Sequence, residues 1–155
     1  MDATDLEILR ALQADGRMSV ADLADRIGLT VAPTYRRLRR LEETEVIDGY
    51  TALIDPAKLG LTIRAIVSVR FASHDLAITD RFLDFVRREP AVLQCDNVTG
   101  EEDYFLVVLV RDLTDYERFT KRLRAVQGVT SIHTHISLRS IKNGTPSLDL
   151  LSDDR

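Results

Sequence analysis

Four arginines, Arg36, Arg37, Arg39 and Arg40, fall within five residues of a 155-residue chain whose formal net charge is −4. A guanidinium presents a rigid fork of donors that suits phosphate oxygens and the O6/N7 edge of guanine. Such a cluster points to nucleic acid even in an acidic protein, because a phosphate feels charges within a Debye length of about 8–10 Å and not the molecular total. Residues 1–60 hold eight Lys/Arg against eleven Asp/Glu, and half of those cations lie within residues 36–40. An arginine-rich helix face is also a common solvated surface. The case therefore rests on the elements that carry it.

Those elements agree with one another. Ser19 followed by Asp22 resembles a capping box with Asp in place of Glu or Gln. Leu23 and Ile27 repeat at i,i+4, and Gly28 stands where a left-handed residue ends a helix. Thr30 is the next N-cap, and Pro33 falls in the first turn, where a missing N–H leaves no intrahelical bond unmade. Thr34, Leu38 and Leu41 share one stripe, which leaves Tyr35, Arg36, Arg39 and Arg40 mostly off it. A short helix, a tight turn and a longer helix with cations on its free side suit the major groove.

A helix over residues 4–13 precedes this pair and gives a three-helix unit. Asp48-Gly49, followed by the strand-like Tyr50–Ile54, predicts a small wing-like hairpin over Val46–Ile54. Asp55-Pro56 to Gly60 reads as a linker. The organisation is then a winged helix-turn-helix domain over 1–54, a linker over 55–60, a second domain over 61–144 and an arm or tail over 145–155.

In the second domain the periodicity changes. Strand patterns cover Thr62–Ala72, Val92–Thr99, Tyr104–Val110 and Val129–Ile141. Helices carry Ile78, Phe82 and Phe85, then Tyr116, Phe119, Leu123 and Val126. The order βαββαβ is ferredoxin-like, so the fold class is α+β. Both alternating sets of Tyr104–Val110 are apolar, as in a strand buried on two faces. Two helices cover one face, so a second subunit is expected on the other.

Other chemistry has less support. The lone Cys95 makes no intrachain disulfide and no thiol cluster. His133 and His135 share a strand face but lack a third metal ligand, so neither a metal nor a cofactor is expected. No glycine-rich phosphate loop or nucleophile elbow is present, and no catalytic residue is assigned. No apolar run reaches membrane-spanning length, and MDATDLEILRAL is neither a secretory nor a transit signal. No membrane partner is expected, and the cytoplasm is the default location.

The ordered fragments Asp5–Leu9, Asp15-Gly16-Arg17, Gly28-Leu29-Thr30, Arg37–Glu42, Ile54-Asp55-Pro56, Val98–Tyr104 and Gly128-Val129 resemble the Lrp/AsnC, or feast/famine, family of transcription regulators. The resemblance spans nearly the whole chain. It implies a transcriptional regulator that binds double-stranded DNA, dimerises through its effector domains, assembles to octamers, and responds to an amino-acid effector. Thr30, Ala32, Tyr35, Arg36, Arg37, Arg39 and Arg40 form the expected DNA-binding set, with Arg37 equally well placed to pair with Glu42 or Asp22. The resemblance puts the effector site at Gly100, Glu101, Glu102, Asp103, Thr134, His135 and Ser137. There Asp103 is suited to an ammonium, and Thr134, Ser137 and the amides beside Gly100 to a carboxylate. Glu45 departs from the family pattern, standing where Gly is usual. The alternatives are a ligand-sensing assembly protein whose helix-turn-helix meets protein or RNA, and a small ferredoxin-like enzyme.

Overall fold

The computed structural model describes residues 1–72, 76–142, 144 and 146–148. They form two compact units, one holding Met1–Leu53 with the described residues beyond Ile141, the other Ile54–Ile141.

The first unit is built on helix starts written into the sequence. Helix α1 (Ala3–Ala14) begins in a capping box made of two aspartates. The Asp5 N–H donates to Asp2 Oδ1 and the Asp2 N–H to Asp5 Oδ2, each at 2.9 Å. Helix α2 (Val20–Ile27) is capped by Ser19, whose Oγ accepts the Asp22 N–H at 3.1 Å and donates to Asp22 Oδ2 at 2.6 Å. Gly28 ends it at φ 70°, a left-handed conformation that costs an L side chain about 1–2 kcal/mol. Helix α3 (Val31–Glu43) follows at once. Ile8, Ala11, Leu23 and Leu41 form the core, with Leu38 and Ile47 packed against it. Thr34 is fully buried, and its Oγ1 donates to the Thr30 carbonyl at 3.0 Å. The stripe Thr34–Leu38–Leu41 faces inward as its spacing predicts.

The expected hairpin over Val46–Ile54 is not formed, and the segment carries no strand. Extended backbone becomes a strand only when its N–H and C=O groups find a ladder. Past Ile47, which packs on the core and donates its N–H to the Leu41 carbonyl at 3.0 Å, neither a ladder nor burial holds the chain, and Leu53 is 96% exposed. The segment is fastened instead by Tyr50, whose hydroxyl donates to Glu42 Oε1 at 3.0 Å. Residues 44–54 contain Glu45 and Asp48 and no lysine or arginine.

In the second unit the segment read as a linker closes into a short 3-10 helix, Pro56–Leu59, capped by Asp55. The four strands are β1 (Ile63–Phe71), β2 (Val92–Asn97), β3 (Tyr104–Val110) and β4 (Val129–Ile136). They lie in the order β2-β3-β1-β4 with every pair antiparallel. Helices α4 (Leu76–Arg88) and α5 (Leu113–Arg124) supply Phe82, Phe119 and Leu123. These pack with Ala65, Val67 and Val69 of β1 and Leu106 and Val108 of β3. Fully burying each large apolar side chain contributes roughly 1.5–3 kcal/mol. Gly128 sits at φ 93°, where a Cβ would run into Ile78 of α4, so no larger residue fits.

Strand β4 stops at Ile136 and does not reach Ile141. Its pairing to β1 ends at Ala65↔Ile136, with one further bond from the Ser137 N–H to the Arg64 carbonyl at 2.8 Å. Among the described residues the ladder goes no further, although β1 itself begins at Ile63. Leu138 and Ile141 are exposed despite their strand-like character. Most of the arm expected over 145–155 lies outside the described residues.

Glu45 takes φ 56° just past α3, the left-handed position that glycine fills at helix ends. Replacing it with glycine is expected to stabilise the first unit by about 1 kcal/mol, read as a shift in denaturant midpoint at unchanged m-value.

Candidate nucleic-acid interface and effector site

Helix α3 presents its residues in two distinct ways. Tyr35 is half exposed, and the Arg39 guanidinium stands 6.0 Å from its ring centroid and 4.0 Å from Glu43 Oε1. Arg36 is exposed and makes no hydrogen bond or ion pair with any described residue. At the start of the helix Thr30 has the extended conformation of an N-cap, but its side chain caps nothing. Among the described residues, no hydrogen bond from the Val31 or Ala32 N–H is present, and Pro33 has no N–H to give. The first turn therefore offers bare donors at the positive end of the helix dipole, next to an exposed Ala32.

Arg37 and Arg40 are held differently. Arg37 Nη1 bonds Asp2 Oδ2 at 2.7 Å and Asp5 Oδ1 at 2.9 Å, and Arg40 Nη2 bonds Asp5 Oδ2 at 2.7 Å. Arg37 thus pairs with the first turn of α1 and with neither Glu42 nor Asp22. Asp5 has no exposed surface. Burial pushes its carboxyl upward, but the Asp2 N–H and the two guanidiniums outweigh this and hold it below the usual carboxylate range. The Arg37 contact, aided by the Asp5 N–H, lowers Asp2 as well. A signal for this pairing lay in the sequence. Asp5 continues the Ile8–Ala11 stripe, and a carboxylate at a core position requires a cation.

The second cluster surrounds the Gly100–Asp103 turn. Arg70, Phe71, Gly100, Glu101 and Asp103 line a cleft of about 420 Å³. Arg70 Nη2 reaches Glu101 Oε2 at 3.5 Å and Glu102 Oε1 at 3.6 Å, and His133 Nδ1 lies 3.6 Å from the same Glu102 oxygen. Arg70 Nε and Glu102 Oε2 are buried without a hydrogen-bond partner. The Asp103 carboxylate accepts the Phe71 N–H at 2.7 Å, and the Asp103 N–H donates to the Val69 carbonyl at 3.0 Å. Its side chain extends the β1 edge.

The expected effector residues are not all brought together. Thr134 pairs with Val67 on the helix-covered face, where its Oγ1 bonds the Tyr116 hydroxyl. His133 and His135 pair with Ser68 and Ile66 and face the opposite way. Alternation along the strand separates Thr134 from His135 by the thickness of the sheet. Arg70 was not anticipated, although a cation within the apolar run of β1 marks it. Among the described residues, no group of three His, Cys, Asp or Glu is placed to hold a metal ion. Burial, with Asp96 nearby, pushes the Cys95 thiol up to about 11, so at neutral pH it stays protonated and unreactive.

The profile of the Lrp/AsnC ligand binding domain matches residues 64–147, and that of a winged helix-turn-helix DNA-binding domain matches residues 1–48. The chain belongs to the Lrp/AsnC family. This Lrp/AsnC chain is 41% identical over 142 residues to the Bkd operon transcriptional regulator of Pseudomonas aeruginosa, covering 91% of its own length and 93% of that protein. Its fold matches the crystal structure of an AsnC family transcriptional regulator from Agrobacterium tumefaciens with TM-score 0.92 and 37% identity, over 98% of this chain and 100% of that one. It also matches a transcriptional regulator from Neisseria meningitidis in complex with L-Met, with TM-score 0.93 and 32% identity, over 98% and 99%. The winged helix-turn-helix followed by an α+β ligand-binding domain is thus both the architecture and the family pattern. Among the described residues no helix is long and apolar enough to cross a membrane.

Because the Asp2 and Asp5 carboxyls are lowered on folding, the stability they supply is present above the unfolded value of about 3.9 and is lost as pH falls below it. Acid is therefore expected to destabilise the first unit below about pH 4. Asp5→Asn should be less stable at neutral pH and should lose less than the wild type on acidification. Denaturant melts across pH 3–7, followed by circular dichroism, check both outcomes.

Proposed function

We propose that this Lrp/AsnC regulator binds DNA as a homodimer, assembling further to an octamer, through the free side of α3. In this reading residues 1–54 bind DNA, 55–60 link, and 61–144 sense the effector and assemble, all in the cytoplasm. The observation that carries it is the Tyr35–Arg36–Arg39 face, exposed beside a helix start whose amides lack partners. The bare donors of Val31 and Ala32, with the Thr30 hydroxyl, suit a backbone phosphate. Arg36 and Arg39 suit guanine edges, and Tyr35 suits a thymine methyl. One helix supplies few contacts, so two subunits reading half-sites about 34 Å apart supply the affinity.

The sheet supports the dimer. Its face away from the helices carries Ile66, Phe105, Val107 and Leu109, none of them fully buried by the chain itself. A second copy of the same surface closes it by symmetry.

An amino acid is the proposed effector, as L-Met accompanies the Neisseria meningitidis relative. Arg70 Nε suits its carboxylate, and the unpartnered Glu102 Oε2 suits its ammonium. Asp103, spent on the Phe71 N–H, serves the turn. The ligand acts on DNA binding or assembly only so far as it favours one arrangement over another.

Two measurements test this reading. Gel shifts on the chain's own upstream region should weaken steeply with salt, and Arg36→Ala/Arg39→Ala should lose roughly 1–3 kcal/mol of discrimination per arginine with dimerisation intact. Unaltered discrimination would remove α3 as the reader. In thermal shifts across an amino-acid panel, Glu102→Gln should weaken the responsive ligand by about tenfold to a hundredfold. Asp103→Asn should lower the melting point yet keep the response.

A further inference from the structure

We infer that Asp2 and Asp5 act as an internal substitute for phosphate, occupying two of the four arginines of α3 and so restraining sequence-independent DNA binding. The inference rests on the DNA-binding reading above.

The geometry is that of a phosphate contact already satisfied. Three short bonds, at 2.7, 2.9 and 2.7 Å, join two carboxylates to Arg37 and Arg40. Charge-assisted bonds of this length are what the same guanidiniums would make to a phosphodiester. Two negative and two positive charges cancel, so half of the arginine charge on α3 is neutralised before DNA arrives. The acids are themselves fixed. Each is pinned by the other's backbone N–H in the α1 capping box, and Asp5 is fully buried. Asp5 cannot swing away as a surface glutamate could, while Asp2, half exposed, is held by the Asp5 N–H and Arg37. Arg40 could be recruited only by leaving Asp5 with a buried, half-compensated charge.

The consequence is selectivity. Phosphate contacts raise affinity for every sequence alike, whereas base contacts raise it for one. With Arg37 and Arg40 engaged, the cations left to α3 are Arg36 and Arg39. Asp2 and Asp5 are then positioning residues, acting on DNA through the arginines they hold. They also tie α1 to α3 and fix how the reading helix stands on its support.

The test is salt dependence on a mixed-sequence duplex, measured by fluorescence anisotropy with the full-length protein. Each phosphate neutralised contributes about −0.9 to the slope of log K against log salt. On mixed sequence no guanine is matched, and Arg36 neutralises phosphate instead; Arg36→Gln is therefore expected to make the slope shallower by about 0.9 per helix engaged, and Arg40→Gln to leave it unchanged. Asp2→Asn/Asp5→Asn, confirmed folded by circular dichroism, should bind mixed-sequence DNA more tightly, with a slope steeper by up to about 1.8 per helix. Its preference for the chain's own upstream region over mixed sequence should fall. A loss of slope in Arg40→Gln equal to that in Arg36→Gln overturns the inference. So does a folded double variant with wild-type slope and preference. If the double variant does not fold, the comparison of Arg40→Gln with Arg36→Gln decides alone. Wild-type protein that binds no duplex at low salt sinks the DNA-binding reading and the inference with it. Binding that persists while Arg40→Gln matches Arg36→Gln sinks only the inference.

Discussion

A carboxylate without solvent must keep its cations, and in this protein that constraint organises the first unit. Asp5 is sealed in the interior, so Arg37 and Arg40 are committed to it. Their commitment docks α3 on α1 and sets them apart from Arg36 and Arg39, which make no contact with α1 among the described residues. The apolar core of Ile8, Leu23 and Leu41 supplies burial, which has no direction. The ion pairs add direction, because the two oxygens of Asp5 are each bonded by a different guanidinium. Stability and, in the proposed reading, the choice of residues available to DNA thus trace to one buried group.

The second unit answers to a different constraint, the two-faced sheet. Tyr104, Leu106, Val108 and Val110 are buried by the helices, while Phe105, Val107 and Leu109 on the other face are only half covered. Arg70, Glu102 and His133 stand on that same face, at the end near the Gly100 turn. The surface that suits a second subunit is therefore continuous with the cluster that holds unpartnered polar atoms. Effector and assembly would act through shared ground, without a long route between them.

Much of this was legible in the sequence because it is local. Ser19, Gly28 and Thr30 punctuate the helices by their own backbone preferences, and the alternation in β3 names its two faces. The misreadings share one cause, the need for a partner distant in the chain. Tyr50–Ile54 has the composition of a strand but no ladder. Residues 137–141 continue the β4 pattern past the end of its pairing to β1. Thr134 and His135 were grouped by the family resemblance, yet the pleat sends them to opposite sides. The partners of Arg37 lie more than thirty positions away on α1, where only a charged residue on an apolar stripe marked them. Asp103 belonged to the right turn, but whether its carboxylate was free depended on the Phe71 amide across the sheet.

The acidic stretch that follows α3 gives the reading helix a direction along its own axis. Its leading end carries bare amides and the positive pole of the dipole, and the four arginines follow within residues 36–40. Its trailing end carries Glu42, Glu43 and Glu45, with Asp48 beyond. A duplex lying along α3, as proposed, would meet bare donors and then arginines over residues 31–40, and carboxylates only past them.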